Sequence, residues 1–588
     1  MKQSWLLIFF FAGFLKVAAQ PIIYVNQVAY DVMAVKKAVI SSDFPLDNNT
    51  QFSVIDSLGK VVFIAKLSSP QQIKEWMPNA TFYDADFSGF QKEGNYKINL
   101  KIDGVNIVSP SFEIGKNRLA KLTIPAIVHY YFKQRANTPQ ELTADSHLPI
   151  NGSGRTVDMR GGWCDASGDV SKYFSHLAYA NFMSPQQTGL VTWSLISTVE
   201  KIPKLLQKWG VKDLVEEEAL WGADYMMRAL SDSNFFYMVV FSYFNKDPNA
   251  RKVVGLEANS VTTNDYQCAF REGAGMAIAA LARISCWNRH GDFTSRQYLN
   301  GAERAFKNLL VNNVKYDDNH RENIIDDYCA LMAASELWIA TGKDLYKRQA
   351  RKRAQNLNMR ITSFGYFRAD DSTRIYWHAS DAGLPIVALA RYLDIEKDKV
   401  LREKALHTIK SALDYNIRVT NDISNPFGYA RQTFNFHGQI KEGFFIPHDN
   451  VSGWWWQGED ARLASLATAA IVGGRLVYPA KGNWGVENKL AAYASQQLNW
   501  ILGCNPYQMC FMYGFGKYNV PYMHSNYGHG SEWGGISNGI TGKENDGSGI
   551  EFKLSDDGNE WRWTEQWIPH AAWFLQAVTA MVESTCKY

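Results

Sequence analysis

Hydrophobic and polar positions follow two different rhythms along the chain. Residues 20–115 carry short β-prone runs, among them Ile22–Val25, Lys37–Ile40, Phe52–Ile55, Lys60–Ile64 and Tyr96–Leu100. Turn signals separate them at Ser57-Leu58-Gly59, Lys92-Glu93-Gly94-Asn95 and Asp103-Gly104. Short strands at this spacing predict a β-sandwich. From about residue 118 the apolar period lengthens to three and four, as in Ala277, Ala280, Leu281 and Ile284, which is the period of an amphipathic helix. The pattern predicts twelve helices, near 118–133, 191–208, 213–231, 265–288, 293–312, 323–341, 344–358, 378–393, 399–415, 459–476, 485–502 and 566–585. An apolar, helix-compatible run also begins near Val170. Twelve helices, mostly in sequential pairs, are what an (α/α)6 toroid requires. No fixed-period repeat points to a solenoid instead.

The first residues read as an export signal. Lys2 supplies the positive charge, Trp5–Phe14 the apolar segment and Val17-Ala18-Ala19 a small-residue cleavage site. The expected division is a signal peptide at 1–19, an immunoglobulin-like β-sandwich at 20–115 and a helical domain at 116–588. The apolar run is too short to span a bilayer, so a periplasmic or extracellular protein without a membrane anchor is expected, acting as a monomer. A formal net charge of +3 over 588 residues, with no basic block, excludes a nucleic-acid binder. Aromatic residues are abundant, with 19 Trp and 29 Tyr. Aromatics with an apolar face and a polar edge suit sugar rings. The seven cysteines at 164, 268, 286, 329, 504, 510 and 586 are odd in number and widely spaced. They read as buried, reduced thiols and not as a disulfide framework.

Long loops in a compact domain are usually functional, and three stand out, at 134–170, 416–457 and 503–564. The first contains Gly161-Gly162-Trp163-Cys164-Asp165-Ala166-Ser167-Gly168-Asp169. It places two carboxylates on a Gly-rich turn after a tryptophan, a pair able to orient and deprotonate one water. A helix-capping loop with solvated aspartates fits the same residues. The second loop contains His448-Asp449 and Trp454-Trp455-Trp456, a candidate sugar platform, before Glu459 and Arg462. Those last two sit three apart on a helix and read as an ion pair or as a reach by Arg462 to the sugar. Asp145 and His147 are candidates to line the cleft. The third loop contains His524 and His529, with no HExxH or cysteine cluster to mark a zinc site. It ends at Glu560 and Glu565, either of which could serve as an acid. A glutamate in the first helical turn, stabilised by the helix dipole, is the plain reading of Glu565.

In this order the motifs resemble glycoside hydrolase family 9, the inverting cellulase-type enzymes, in the subgroup with an N-terminal immunoglobulin-like domain. Residues 161–169 are similar to the family's GGWYDAGD signature. Asn505-Pro506 and Gly514-Phe515-Gly516 resemble its NP…GxG region, Pro521–His524 its PxHHR segment and Thr564–Ala572 its acid-bearing C-terminal segment. Tyr24–Tyr30, Asp84–Ser88 and Gly94–Tyr96 resemble its β domain. The resemblance implies Asp169 as general base, Asp165 as a partner holding the water, Glu565 as general acid with Glu560 as the alternative, and His524 beside the cleaved bond. Trp163, His448, Asp449, Trp455, Trp456 and Arg462 are the further candidates for binding substrate. Two departures are visible. The aspartates are separated by Ala-Ser-Gly, one residue more than in the signature, and Ser525 and Asn526 replace the second His and the Arg of PxHHR.

The expected protein is therefore an exported inverting hydrolase of β-glycosidic bonds in an oligo- or polysaccharide. No metal or other cofactor is required, and the resemblance leaves room for a structural calcium ion. A non-catalytic carbohydrate-binding protein on the same fold and an (α/α)6 polysaccharide lyase stay open as alternatives.

Overall fold

The computed structural model describes residues 20–176, 183–242, 247–257, 261–450, 453–524, 528–555 and 558–583, with the backbone alone at 453–454. Residues 1–19, expected to be an export signal, lie outside the described residues, as do the Trp454 side chain, Ser525, Asn526 and Cys586.

The N-terminal strands are β1 (Ile22–Tyr24), β2 (Ala29–Asp31), β3 (Lys37–Ser42), β4 (Gln51–Asp56), β5 (Val61–Lys66), β6 (Thr81–Asp86), β7 (Gly94–Ile102), β8 (Val105–Val108) and β9 (Phe112–Gly115). One sheet has the order β1-β3-β6. The other has the order β2-β9-β7-β4-β5, with β8 also paired to β7. Period-two alternation buries Phe52 and Val54 on β4 and Tyr96, Ile98 and Leu100 on β7, with Val54 opposite Ile98 in register. Together with Ile40 and Phe87 these residues form the β-domain core.

The toroid consists of α1 (Arg118–Gln134), α2 (Thr188–Lys201), α3 (Lys212–Ala229), α4 (Gly275–Ile284), α5 (Ser295–Tyr316), α6 (Ile324–Thr341), α7 (Asp344–Arg360), α8 (Leu384–Leu393), α9 (Lys399–Asn421), α10 (Asp460–Val477), α11 (Asn488–Ile501) and α12 (Ile568–Glu583). The even helices pack on one another in a closed ring, α2-α4-α6-α8-α10-α12 and back to α2, and the odd helices lie outside it. Sequence dictates which is which. Every residue of α4 is buried, as a helix apolar on all sides must be. On α5 the buried residues Tyr298, Ala302, Ala305, Phe306 and Leu309 form one stripe. Inner and outer helices alternate along the chain and run in opposite directions, so the six inner N-termini share a face. Asp381 ties three of these starts together, accepting from the Gln186 amide at 2.8 Å before α2 and from the Trp573 indole of α12 at 2.8 Å.

Among the described residues the run after Val170 is not helical. Lys172–Tyr173 is a short strand paired with Val239–Val240, and α2 begins only at Thr188. The cause is Lys172, whose buried ammonium is held by Asp145 at 2.7 Å and by the Met159 and Gly161 carbonyls at 2.6 and 2.9 Å. Cys164, Cys268, Cys329, Cys504 and Cys510 are buried and Cys286 is exposed, all as free thiols. Among the described residues no helix is long and apolar enough to cross a membrane.

The β domain is keyed into the toroid. Asn26 Nδ2 donates to Asn499 Oδ1 at 3.0 Å, and Gln27 Nε2 donates to the Gln508 carbonyl at 2.6 Å. Trp76, on the segment before β6, packs its ring 4.4 Å from Phe444, 5.6 Å from Trp500 and 5.8 Å from Phe445. Removing a buried tryptophan costs about 3–5 kcal/mol. Trp76→Ala is therefore expected to lower the unfolding free energy by about that amount, read by denaturant titration. A loss below about 1 kcal/mol, the cost of an ordinary substitution, would show that the two domains stand independently.

Candidate active site

Asp165 and Asp169 flank a tight turn. The Asp169 amide donates to the Ala166 carbonyl at 3.1 Å, and Gly168 takes φ of +81° at the third position, where such a turn requires a glycine-like conformation. The turn is stitched to the segment that precedes α12. The Ser167 amide donates to the Gln566 carbonyl at 2.8 Å, and the Ile568 amide donates to the Asp165 carbonyl at 3.2 Å. The Gln566 amide donates to Ser167 Oγ at 2.8 Å, and the Trp567 indole donates to Asp165 Oδ1 at 2.9 Å. The result sets Asp165, Asp169 and Glu565 close enough to influence one another electrostatically.

Asp165 is buried, at 4% exposure, while Asp169 and Glu565 are half-buried. Burial, and then the charges of Asp169 and Glu565, push the Asp165 carboxyl well above the usual carboxylate range. Asp169 Oδ1 accepts from the Ser171 amide at 2.8 Å. Glu565 caps the end of the short helix Trp561–Thr564. Trp563, Trp567 and Ile568, close to it in the chain, are all buried. Tyr130 senses the charges of Asp165 and Glu565, and Tyr173 those of all three carboxylates. Glu560 Oε2 is buried and meets no hydrogen-bond partner among the described residues.

Other loops brace the acid segment. The Asn538 amide donates to the Glu565 carbonyl at 2.8 Å, the Gly539 amide to the Trp563 carbonyl at 3.0 Å and the Gly458 amide to the Arg562 carbonyl at 3.1 Å. At this crossing a Cβ on Gly458 would stand 2.1 Å from the Asn538 oxygen, so only glycine fits. Arg562 Nε donates to the Trp456 carbonyl at 2.8 Å, and its guanidinium lies 4.8 Å from the Trp456 ring centre. Trp456, half-buried, is thereby carried to the acid side. His448 is buried with Nε2 unpartnered among the described residues; burial, then the charge of Arg562, lowers it to about 4, so it is neutral. Asp449 places its carboxylate 3.6 Å from His437 Nε2 on the neighbouring hairpin. His524 is exposed beside Tyr522, and its neighbour Met523 receives Ser167 Oγ at 3.4 Å, which brings the segment against the base turn.

Four sequence expectations need correction. Trp163 has 0% exposure, its indole donating to Glu218 Oε2 at 3.0 Å, so it is core and not a sugar platform. Arg462 also has 0% exposure. It pairs with Glu459 and donates to the Ala430 and Phe444 carbonyls at 3.0 and 3.1 Å, which leaves it no reach to a ligand. Trp455 is buried, leaving Trp456 as the member of the described pair with an accessible face. Asp145 is buried between Lys172 and Arg251 and lines no cleft. The reading missed Tyr130 and Tyr173, which lie in ordinary apolar patterns. It also missed a buried cluster of Glu141, Cys164 and His529, whose members stand 23 and 388 residues apart. His529 Nε2 faces Glu141 there, and not His524.

Known proteins can now be set beside this arrangement. The family model of glycosyl hydrolase family 9 matches residues 123–578, and that of the cellulase N-terminal ig-like domain matches residues 18–105. Endoglucanase 22 of Oryza sativa subsp. japonica is 24% identical over 425 residues, 66% of this chain and 68% of the relative. A xyloglucan-specific endo-beta-1,4-glucanase of Bacteroides ovatus is 24% identical over 375 residues, 57% of this chain and 60% of that relative. Among solved structures, a metagenome-derived family 9 endoglucanase superposes with a TM-score of 0.67 at 17% identity, over 96% of this chain and 99% of that one. A family 9 protein of Bacteroides ovatus superposes with a TM-score of 0.61 at 18% identity, over the same shares. The fold is thus an immunoglobulin-like domain followed by an (α/α)6 toroid, and the family model spans most of the chain: this protein belongs to glycosyl hydrolase family 9.

Proposed function

We propose that the protein is an exported, inverting endo-hydrolase of a β-1,4-linked glucan, acting as a monomer without a catalytic cofactor. The observation that carries this reading is the convergence of Asp165, Asp169 and Glu565 from opposite ends of the domain. Inversion needs a carboxylic acid on the leaving-group side and a carboxylate across the bond, roughly 6.5–9.5 Å away, with a water between them. Asp169, half-buried and close to Ser171, is the base that deprotonates the water. Asp165, kept protonated by burial beside two other carboxylates, orients that water. Glu565, among buried tryptophans, protonates the departing oxygen. Glu560 is the weaker candidate because Glu565, and not Glu560, stands immediately before the last helix in the register of the family's acid segment.

Trp456 offers a face for a sugar ring and His524 offers hydrogen bonds to hydroxyls, whereas His448 is buried and presents no accessible nitrogen. Asp449 is a further polar contact on that side. The β-1,4-glucan assignment rests on the names of the relatives. Export rests on the sequence of residues 1–19.

General acid–base groups contribute about 10²–10⁴-fold each. Asp169→Ala and Glu565→Gln are expected to reduce turnover on the best substrate of a β-glucan panel by that factor, with folding unchanged by circular dichroism. Near-normal turnover in both would overturn the assignment. Proton NMR of the fresh product should show the inverted anomer, and a retained anomer excludes this mechanism. A third expectation concerns stability. Asp165 titrates higher when folded than unfolded, so the stability linked to its proton is complete below the unfolded value of about 3.9 and is lost as pH rises through the folded value. Asp165→Asn should therefore melt above the parent, by a margin that grows as pH rises from about 4. A variant that melts lower at pH 8 would contradict this electrostatic account.

A further inference from the structure

Glu141, Cys164 and His529 come from three separate stretches: the helix Pro139–Asp145, the signature loop and the loop beyond His524. All three are buried, and their potential ligand atoms lie within 4.8 Å of one another. His529 Nε2 is 2.7 Å from Glu141 Oε1, and Cys164 Sγ is 3.3 Å from the same oxygen. Two of the side chains are aimed by outer partners. His529 Nδ1 faces the Lys133 carbonyl at 3.2 Å, so it carries a proton there and leaves Nε2 for the cluster. Glu141 Oε2 accepts from the Thr138 amide at 3.0 Å and from Thr138 Oγ1 at 2.9 Å, which leaves Oε1 for the cluster. Outer hydrogen bonds of this kind orient metal-ligating histidines and carboxylates.

We propose that these three groups form a zinc site, with Glu141 Oε1, Cys164 Sγ and His529 Nε2 as ligands. A mixed oxygen, sulfur and nitrogen set suits zinc, whereas calcium and magnesium take oxygen alone. Charge balance permits the exchange. Without metal, His529 faces acceptors through both nitrogens, which makes an imidazolium beside the Glu141 carboxylate and a neutral thiol: net zero. Zinc with a carboxylate, a thiolate and a neutral imidazole is also net zero. One divalent ion enters and two protons leave, from Nε2 and from Sγ. Bonds of about 2.0–2.3 Å need ligand atoms roughly 3.3–3.6 Å apart, so the closest pair opens by roughly half an ångström to admit the ion. The Val170 carbonyl, 3.9 Å from Sγ, stands beside the three. The site touches no substrate-binding group. It adjoins the base turn, because Cys164 precedes Asp165 and the His529 carbonyl accepts from the Gly168 amide at 2.6 Å.

The test reads metal and not activity, so it stands apart from the glycan assignment. The full chain is purified without chelator, dialysed against zinc and then buffer, and analysed by inductively coupled plasma mass spectrometry. About one equivalent per chain is expected. Cobalt(II) titrated into the parent should give a near-ultraviolet thiolate-to-metal band. Cys164→Ser should abolish that band, and His529→Gln should lower zinc content to about a tenth or less. A parent with neither zinc nor the cobalt band overturns the proposal, as does zinc retained at full stoichiometry in both variants. If a variant does not fold, the cobalt titration of the parent decides alone.

Discussion

The structure depends on one seam: the backbone hydrogen bonds that join the turn at 165–169 to the segment at 566–568. The Ser167 amide and hydroxyl bind the two sides of Gln566, while Asp165 receives both the Ile568 amide and the Trp567 indole. The residues joined stand 399 and 402 apart in the chain. They can meet because the toroid closes, with α12 returning to lie against α2. Bringing three carboxylates into one poorly hydrated place is unfavourable. The main-chain bonds fix the backbone on both sides, while the Trp567 indole and the Ser171 amide hold the Asp165 and Asp169 side chains in place. Part of the fold's stability is given up to hold them there, a common trade at functional sites.

The seam also explains why the surrounding loops are so closely built. Asn538, Gly539 and Gly458 fix the acid segment from behind, and His529 fixes the base turn through Gly168. Glycine at 458 and 168 answers two different needs, a close backbone crossing in one case and a left-handed conformation in the other. The aromatic residues around the seam divide in the same way. Trp563 and Trp567 are buried, while Trp456 keeps a face open.

The two-domain architecture was legible because each domain follows one period: two in the strands, three to four in the helices. Inner and outer helices could be told apart in principle, since α4 is apolar on every side and α5 only along a stripe. Asp165, Asp169 and Glu565 could be singled out through motif order, and the structure brings them together. What failed depended on partners distant in sequence. Trp163 resembles a sugar platform until Glu218 claims its indole. Arg462 resembles a sugar contact until Glu459 and two carbonyls consume its donors. Val170 begins an apolar run that reads as helix, but the ion pair buried at Lys172 draws it into a sheet. Periodicity reports which face of an element is buried and carries no record of what meets it there.

Trp76 gives the β domain a temporal role as well as a spatial one. Its seat is made of Phe444, Phe445 and Trp500, which the ribosome adds long after the strands are complete. At about 5–20 residues per second, the roughly 420 residues from Trp76 to Trp500 take on the order of 20–85 s to synthesise. Until then the ring that joins the two domains has no seat, so the strand segment and the toroid complete their packing together, once Trp500 has been made.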